Sequence, residues 1–178
     1  MTVATQSVHD PRLFRQALGQ FPTGVCVVTA SVAGERLGMT MSSFNSLSLD
    51  PPLVLFSIDR RAAGLPLWEQ ATRCTINVLA ENQKDISNRF AKSQSNKWEG
   101  MRLRPGHAEA PALAGTAAVF ECAVWAKHDG GDHRLFIAEV IRFVSNNDRK
   151  PLVFCMGRYA SLQPTESPAP LWPLDIHY

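Results

Sequence analysis

The sequence predicts a mainly β domain with flanking helices, folded as an antiparallel barrel with the helices at its rims. Three observations carry this. About seven runs of apolar and β-branched residues are separated by turn-forming residues. Helical spacing recurs in only a few short places, so the helix between nearly every pair of strands that a doubly wound parallel sheet needs is missing. The 178 residues, 45% hydrophobic with a net charge of +2, give one domain's length and enough apolar side chains for a continuous core, and they exclude disorder for the bulk.

The elements follow in order. Asp10 is placed to cap a first helix and Pro11 fits its first turn. Leu13, Phe14, Ala17, Leu18 and Phe21 fall on one helical face, and Pro22 and Gly24 close it. Residues 25–32 form an apolar, β-branched strand ended by Gly34. Residues 37–47 resume as one strand rich in small hydroxyl groups, and Asp50-Pro51-Pro52 stops it. Residues 53–58 are apolar enough for burial on both faces, and residues 74–79 are the next strand. Residues 65–71 span about two helical turns. Residues 83–91 place Ile86 and Phe90 on one helical face. Residues 92–106 are polar and irregular apart from Trp98 and Met101, and a connection of that length points to a functional or interface loop. Residues 118–127 and 134–144 form a hairpin around Asp129-Gly130-Gly131-Asp132, and residues 152–156 are the last strand. A domain over 1–162 is followed by a Pro-rich tail, 163–178, whose Leu171, Trp172, Leu174 and Ile176 are available to dock.

Composition also excludes functions. A net charge of +2 gives a weak field, and Arg60-Arg61 and Arg102 with Arg104 are short pairs rather than a stripe, so no nucleic-acid partner is expected. No run reaches the ~18 uninterrupted apolar residues of a membrane span. Residues 1–10 are polar and lack an apolar leader core, which makes the cytoplasm the expected location. Cys26, Cys74, Cys122 and Cys155 lie far apart in apolar runs, the pattern of buried thiols rather than of a zinc site, and no metal is expected. The histidines other than His133 (His9, His107, His128 and His177) make no ligand-spaced pair. Glycine-rich nucleotide cradles and the short motifs of metalloproteases and serine hydrolases are absent.

Four segments carry polar chemistry. Residues 38–48 gather Thr40, Ser42, Ser43, Asn45, Ser46 and Ser48. A core strand avoids so many hydroxyls, since each needs a partner when buried, whereas a binding strand uses them with its main chain to hold a planar heterocycle. An edge strand with a solvated face gives the same pattern. Ser57, Arg60 and Arg61 combine a hydroxyl with two guanidiniums, a set suited to phosphate and equally to a charged loop in which Asp59 pairs with an arginine. His133 stands at the hairpin mouth, able to donate a hydrogen bond or face a ring, or simply to bond locally in the turn. Arg158 beside Tyr159 suits an anion or a subunit contact.

In their order and spacing these segments resemble the short-chain flavin reductase family. The resemblance rests on Phe21-Pro22-Thr23-Gly24-Val25 with Val27-Val28-Thr29, and on Gly38-Met39-Thr40-Met41-Ser42-Ser43-Phe44 with Ser46, Ser48 and Pro51-Pro52-Leu53. It continues through Ser57-Ile58 with Arg60, then Asn77-Val78-Leu79 with Gln83 and Phe90-Ala91. Gly131-Asp132-His133 and Pro151-Leu152 with Gly157-Arg158-Tyr159 complete it, so that it spans Phe14 to Leu162. Ala62-Ala63-Gly64 depart from the family, whose members often carry Ser or Thr there, and this leaves FMN and FAD both open. The resemblance implies a Greek-key, FMN-binding split barrel working as a homodimer. It implies hydride transfer from NADH to FAD or FMN, with reduced flavin passed to a separate monooxygenase that oxidises an aromatic compound. His133 is then the catalytic candidate on the nicotinamide side. Thr23, Thr40, Met41, Ser42, Ser43, Ser48, Ser57, Arg60, Arg61, Asn77, Phe90, Arg158 and Tyr159 are the cofactor-binding candidates. The alternative is a flavin carrier or sensor on the same fold without turnover. A split-barrel oxidase of a phosphorylated pyridine needs a further basic cluster that the sequence does not display, and a purely structural protein leaves the hydroxyl-rich strand unexplained.

Overall fold

The computed structural model describes residues 9–93, 96–105 and 110–163. The tail at 164–178 and His107 lie outside the described residues. The elements are α1 (Pro11–Leu18), β1 (Thr23–Gly24), β2 (Cys26–Val32), β3 (Glu35–Met41), β4 (Asn45–Leu49), β5 (Pro52–Asp59), α2 (Leu65–Trp68), β6 (Arg73–Val78), α3 (Lys84–Phe90), β7 (Ala118–Gly130), β8 (His133–Ser145), β9 (Val153–Cys155) and β10 (Arg158–Ala160). A seven-stranded antiparallel sheet runs β3-β2-β6-β7-β8-β5-β4, and β1-β9-β10 form a small second sheet. The β7–β8 hairpin lies between the sequence neighbours β5 and β6, which is a Greek-key order. The large sheet does not close: β3 and β4 are its two edges, and this is the expected split barrel.

Local chemistry explains the turns. The β2–β3 loop is Ala33-Gly34, with φ of 50° and 83°, and the β9–β10 loop is Met156-Gly157, with φ of 48° and 75°. Positive φ at both central residues is what a type I′ turn requires. The long hairpin turns tighter than the sequence suggests, on Gly131-Asp132 alone, with Gly131 at φ 67°. Asp10 Oδ1 accepts from the N–H groups of Arg12 and Leu13 at 2.9 and 3.2 Å, so the first helix starts as predicted. Among the described residues nothing buries its apolar face: no residue of α1 is buried, and Phe14, Leu18 and Phe21 are at least half exposed. The single strand expected over 37–47 is two strands, because Ser42-Ser43-Phe44 turns a corner and sends β4 to pair with β5 instead of β2.

Two cores share β2. Cys26, Val28 and Ala30 face the barrel interior with Val54, Phe56, Ile58, Trp68 and Phe136. On the other face Val25 and Val27 pack with Leu79, Phe90, Leu113 and Leu152. Period-two alternation with apolar residues on both faces makes β2 the central wall. Cys26, Cys74 and Cys122 are buried and all four cysteines are free. Burial pushes the Cys26 thiol up to about 12, which leaves it inert at neutral pH. Among the described residues no helix is long and apolar enough to cross a membrane.

Buried polar side chains fasten the long connection between α3 and β7 to this wall. Asn77 Nδ2 donates to Val27 O at 2.9 Å, and Asn77 Oδ1 accepts from Leu113 N at 2.7 Å. Thr29 and Thr75 donate to the carbonyls of Pro111 and Ala110 at 2.5 and 2.7 Å. Gln83 accepts from Ala80 N at 3.0 Å and donates to Ala114 O at 2.9 Å. Residues 110–114 of this connection are thereby bonded to the sheet by buried side chains. Replacing Asn77 with Ala orphans the buried Leu113 N–H. The expected loss is about 1–3 kcal/mol of unfolding free energy, read by urea denaturation, and a change within error would show that water or a shifted neighbour replaces the amide.

Candidate functional site

The open edge of the sheet is where polar main chain and side chains gather. In β3 the carbonyls of Arg36 and Gly38 point away from β2. Trp98 Nε1 donates to the first at 3.0 Å and Lys97 Nζ to the second at 3.1 Å. Period two places the main chain of Thr40 on the same outward edge. Between this edge, the loop Ala62-Ala63-Gly64 with Leu67 and Trp68, and the group Ser93, Lys97 and Trp98 lies a cleft of about 260 Å³. Its Leu67 and Trp68 wall is apolar, its strand side offers peptide groups, and its one ammonium is Lys97. Burial lowers the Lys97 pKa, so this charge is short of solvation and favours an anion beside it.

Packing on the far side of β3 sets that edge. A Cβ on Gly38 would stand 2.5 Å from the Phe90 ring and 3.0 Å from Trp98, so only glycine lets the aromatic pair lie flush on the strand. Phe90 and Trp98 meet edge to face at 4.9 Å, and the Arg36 guanidinium covers the outer face of Trp98 at 6.0 Å.

The structure spreads the sequence candidates over three neighbouring places. Thr40 and Met41 end β3 and Ser42 and Ser43 turn the corner beyond it, so these four candidates follow the cleft-lining residues in the chain without lining the cleft. Thr40 Oγ1 donates to Ser87 O at 2.7 Å, Met41 is buried in the barrel, and Ser42 is exposed. Ser43 crosses the split: it accepts from Ser57 N at 3.0 Å and donates to Ser57 O at 3.2 Å. Ser48 lies at the β4 bulge opposite Leu53. Asn77 and Phe90 are almost fully buried, one bonded to main chain and the other packed on Gly38.

Arg60, Arg61 and His133 form the second place, at the hairpin mouth. Arg60 donates to Gly131 O at 3.1 Å and pairs with Asp129, while Arg61 binds both oxygens of Asp59 at 3.1 and 2.7 Å. Of the two readings of this segment, the charged loop with Asp59 on an arginine is the arrangement present. Arg134 joins it, on Glu69 and Asp129 at 2.7 and 2.8 Å. Hydrogen bonds from Arg61 hold Asp59 far below the usual carboxylate range, and the charge of Arg60 with a hydrogen bond from Arg134 lowers Asp129. His133 Nδ1 lies 2.7 Å from Asp132 Oδ1, which lowers Asp132 in turn. His133 is partly exposed and pairs in register with Asp59.

Thr23, Arg158 and Tyr159 belong to the small sheet, with Thr23 paired to Phe154. The Tyr159 phenol oxygen is 2.8 Å from both Ser87 Oγ and Asn88 Oδ1, enough for one accepted and one donated bond. Ser87 thus joins Tyr159 to Thr40 across α3. The exposed Arg158 side chain has no partner among the described residues. Sequence reasoning missed Lys97, Ser93 and Arg36. The irregularity of 92–106 marked the loop, but nothing in its composition singled out which polar residue turns inward.

The family model described as flavin reductase like domain matches residues 18–163. The chain is 37% identical over 169 residues to the flavin-dependent monooxygenase reductase subunit HsaB of Mycobacterium tuberculosis, covering 94% of this chain and 90% of that protein. It is 40% identical over 151 residues to the FMN reductase (NADH) SmoA of Agrobacterium fabrum, covering 85% and 86%. The NADH:FAD oxidoreductase SgcE6 of Streptomyces globisporus, solved in complex with NAD and FAD fragments, superposes with a TM-score of 0.87 at 32% identity, covering 93% of this chain and 100% of that one.

Proposed function

The chain belongs to the flavin reductase-like domain family, and from that membership we infer that it is an NADH:flavin oxidoreductase acting on FAD or FMN. The observation that carries this reading is the open β3 edge with the desolvated Lys97 beside it. Outward peptide groups fit the polar rim of a planar ring, the Leu67 and Trp68 wall fits its apolar body, and the ammonium fits a phosphate. Flavin, when bound, supplies the two-electron acceptor for hydride from NADH. The chain's own contribution is placement. Gly38, backed by Phe90, keeps the strand edge straight. Thr40, tied through Ser87 to Tyr159, fixes α3 against that edge. Ser43, locked to Ser57, holds the corner where Ser42 and the cleft meet. His133, turned by Asp132, stands at the hairpin mouth as the residue for the nicotinamide side. Ser48, Arg60, Arg61 and Arg158 complete the proposed binding set, together with Thr23, Met41, Asn77 and Phe90. The domain over 1–162 carries the activity.

The reduced flavin is released to a separate monooxygenase component that oxidises an aromatic compound, in the cytoplasm where NADH is supplied. Relatives named as reductases favour turnover over a carrier or sensor role. The working unit is a homodimer. What supports this is a row of rings running from Phe44, next to Ser43, through Phe120 at 5.8 Å to Phe143 at 6.1 Å, where the ring is 65% exposed. Burial of Phe143 against a second copy would lock the split corner from outside.

Purified protein with NADH and free flavin under air consumes NADH in a flavin-dependent way, and His133→Ala slows hydride transfer or raises the KM for NADH while flavin affinity stays. No flavin-dependent loss of NADH absorbance would refute the activity, and unchanged turnover in the variant would remove His133. Lys97→Met weakens FMN binding roughly tenfold or more, as loss of a charge-assisted hydrogen bond implies. Because the Lys97 pKa is lowered, wild-type affinity falls as pH rises toward the ordinary lysine range, and the variant shows no such fall. An Arg60→Ala, Arg61→Ala double variant costs less, since both guanidiniums already serve carboxylates; a larger cost than for Lys97→Met would move the phosphate to the hairpin mouth. Light scattering gives a dimer mass that Phe143→Asp shifts toward monomer, and a monomeric wild type overturns the homodimer.

A further inference from the structure

A second cavity of about 470 Å³ lies beside α3 and shares no lining residue with the β3 cleft. Three arginines from separate parts of the chain meet there: Arg89 on α3, Arg102 in the turn after Gly100, and Arg149 before β9. Arg89 is braced through Nη1, to Glu99 O at 2.8 Å and Met101 Sδ at 3.6 Å, which leaves its Nε and Nη2 groups open. Arg102 and Arg149 have no side-chain hydrogen bond or ion pair among the described residues. This is unlike the hairpin mouth, where every guanidinium has a carboxylate. Asp85 is the one acid in the lining, and it is unpaired as well.

The floor of this cavity is built, not incidental. Gln83, bonded to Ala114 O at 2.9 Å, and the pairing of Ala114 N with Arg102 O at 2.9 Å fix the main chain on two sides. Gly115 holds φ at 80°, and a Cβ there would come within 3.3 Å of Gln83 Nε2 and 4.0 Å of Arg149 Nη1. The positive φ and the close approach of Gln83 Nε2 both favour glycine at this point of the floor. Ile86 and Met101 add apolar wall.

We propose that this cavity binds a nucleoside 5′-monophosphate. Three guanidiniums and one carboxylate sum to a charge of two, which a phosphomonoester dianion neutralises, and planar guanidinium forks match its oxygens. Asp85 accepts from sugar hydroxyls, and Ile86 with Met101 packs a base. The volume lies within the range of small-ligand sites. The site is separate from the flavin reading, because the two cavities share no lining residue.

The test is calorimetric titration of AMP into protein already saturated with FMN, at low ionic strength, repeated with an Arg102→Ala, Arg149→Ala double variant. Neither arginine side chain supports the fold through a described contact, and circular dichroism verifies folding. AMP binds the wild type, the double variant loses at least about tenfold in affinity, and FMN affinity is the same in both. Adenosine, lacking the phosphate, does not bind. AMP that fails to bind at millimolar concentration, binds both proteins equally, or competes with FMN overturns the proposal. NAD+ displacing AMP from the cavity also overturns it, by assigning the site to the adenylate end of a dinucleotide.

Discussion

A sheet that stops short of closing leaves a row of peptide groups without neighbours, and in this molecule that row is the outer edge of β3. Closure would have paired it with another strand. Instead side chains answer it, the Trp98 indole for Arg36 O and the Lys97 ammonium for Gly38 O, while just past its end the Ser43 hydroxyl serves the main chain of Ser57 on β5. Unpaired buried peptide groups are costly, so each of these partners is demanded by the split itself. The candidate site sits where it does because, among the described residues, side chains rather than a strand answer carbonyls of this edge, and side chains can yield to a ligand where a strand could not.

Such an edge needs rigid backing, and the second core supplies it. Phe90 and Trp98 rest on Gly38 from behind, and the long connection that carries Trp98 is pinned at its far end by Asn77, Thr29, Thr75 and Gln83. These four side chains are buried and bonded mainly to main chain, with Asn77 Nδ2 also donating to the Thr29 hydroxyl. A hydroxyl-rich or amide-bearing strand need not touch a ligand to matter for one. Asn77 acts at a distance, by fixing the segment whose other end closes the cleft.

That division explains what could be read in the sequence. Strand positions, the Asp10 cap and the antiparallel barrel follow from alternation, capping chemistry and the shortage of helices, all local signals, whereas the split in the barrel was implied only by the family resemblance. The corner at Ser42-Ser43-Phe44 did not show, because its residues continue the same alternation and only the tertiary bond to Ser57 breaks the strand. The apolar face of α1 was legible, but its exposure was not, since periodicity reveals which residues seek a partner without saying that the chain itself provides one. Lys97 was invisible for a related reason: whether a lysine in a polar loop turns inward depends on a carbonyl 59 positions away.

The arginines make the same point in terms of charge. Arg60 and Arg61 stand together in sequence and look like an anion site, yet Asp59 and Asp129 reach them first and the hairpin mouth is close to balanced. Arg89, Arg102 and Arg149 are scattered in sequence, and the fold assembles them without enough carboxylate to match. Exposed ion pairs add little stability, so the pairing at the mouth is better understood as setting orientation: it aims Arg60 at Gly131 and keeps Asp132 free to turn His133. Uncompensated charge, by contrast, raises the energy of the empty protein and lowers that of a complex with an opposite charge. It is the mismatch between cations and anions in three dimensions, not the density of basic residues along the chain, that marks where this molecule has affinity left over.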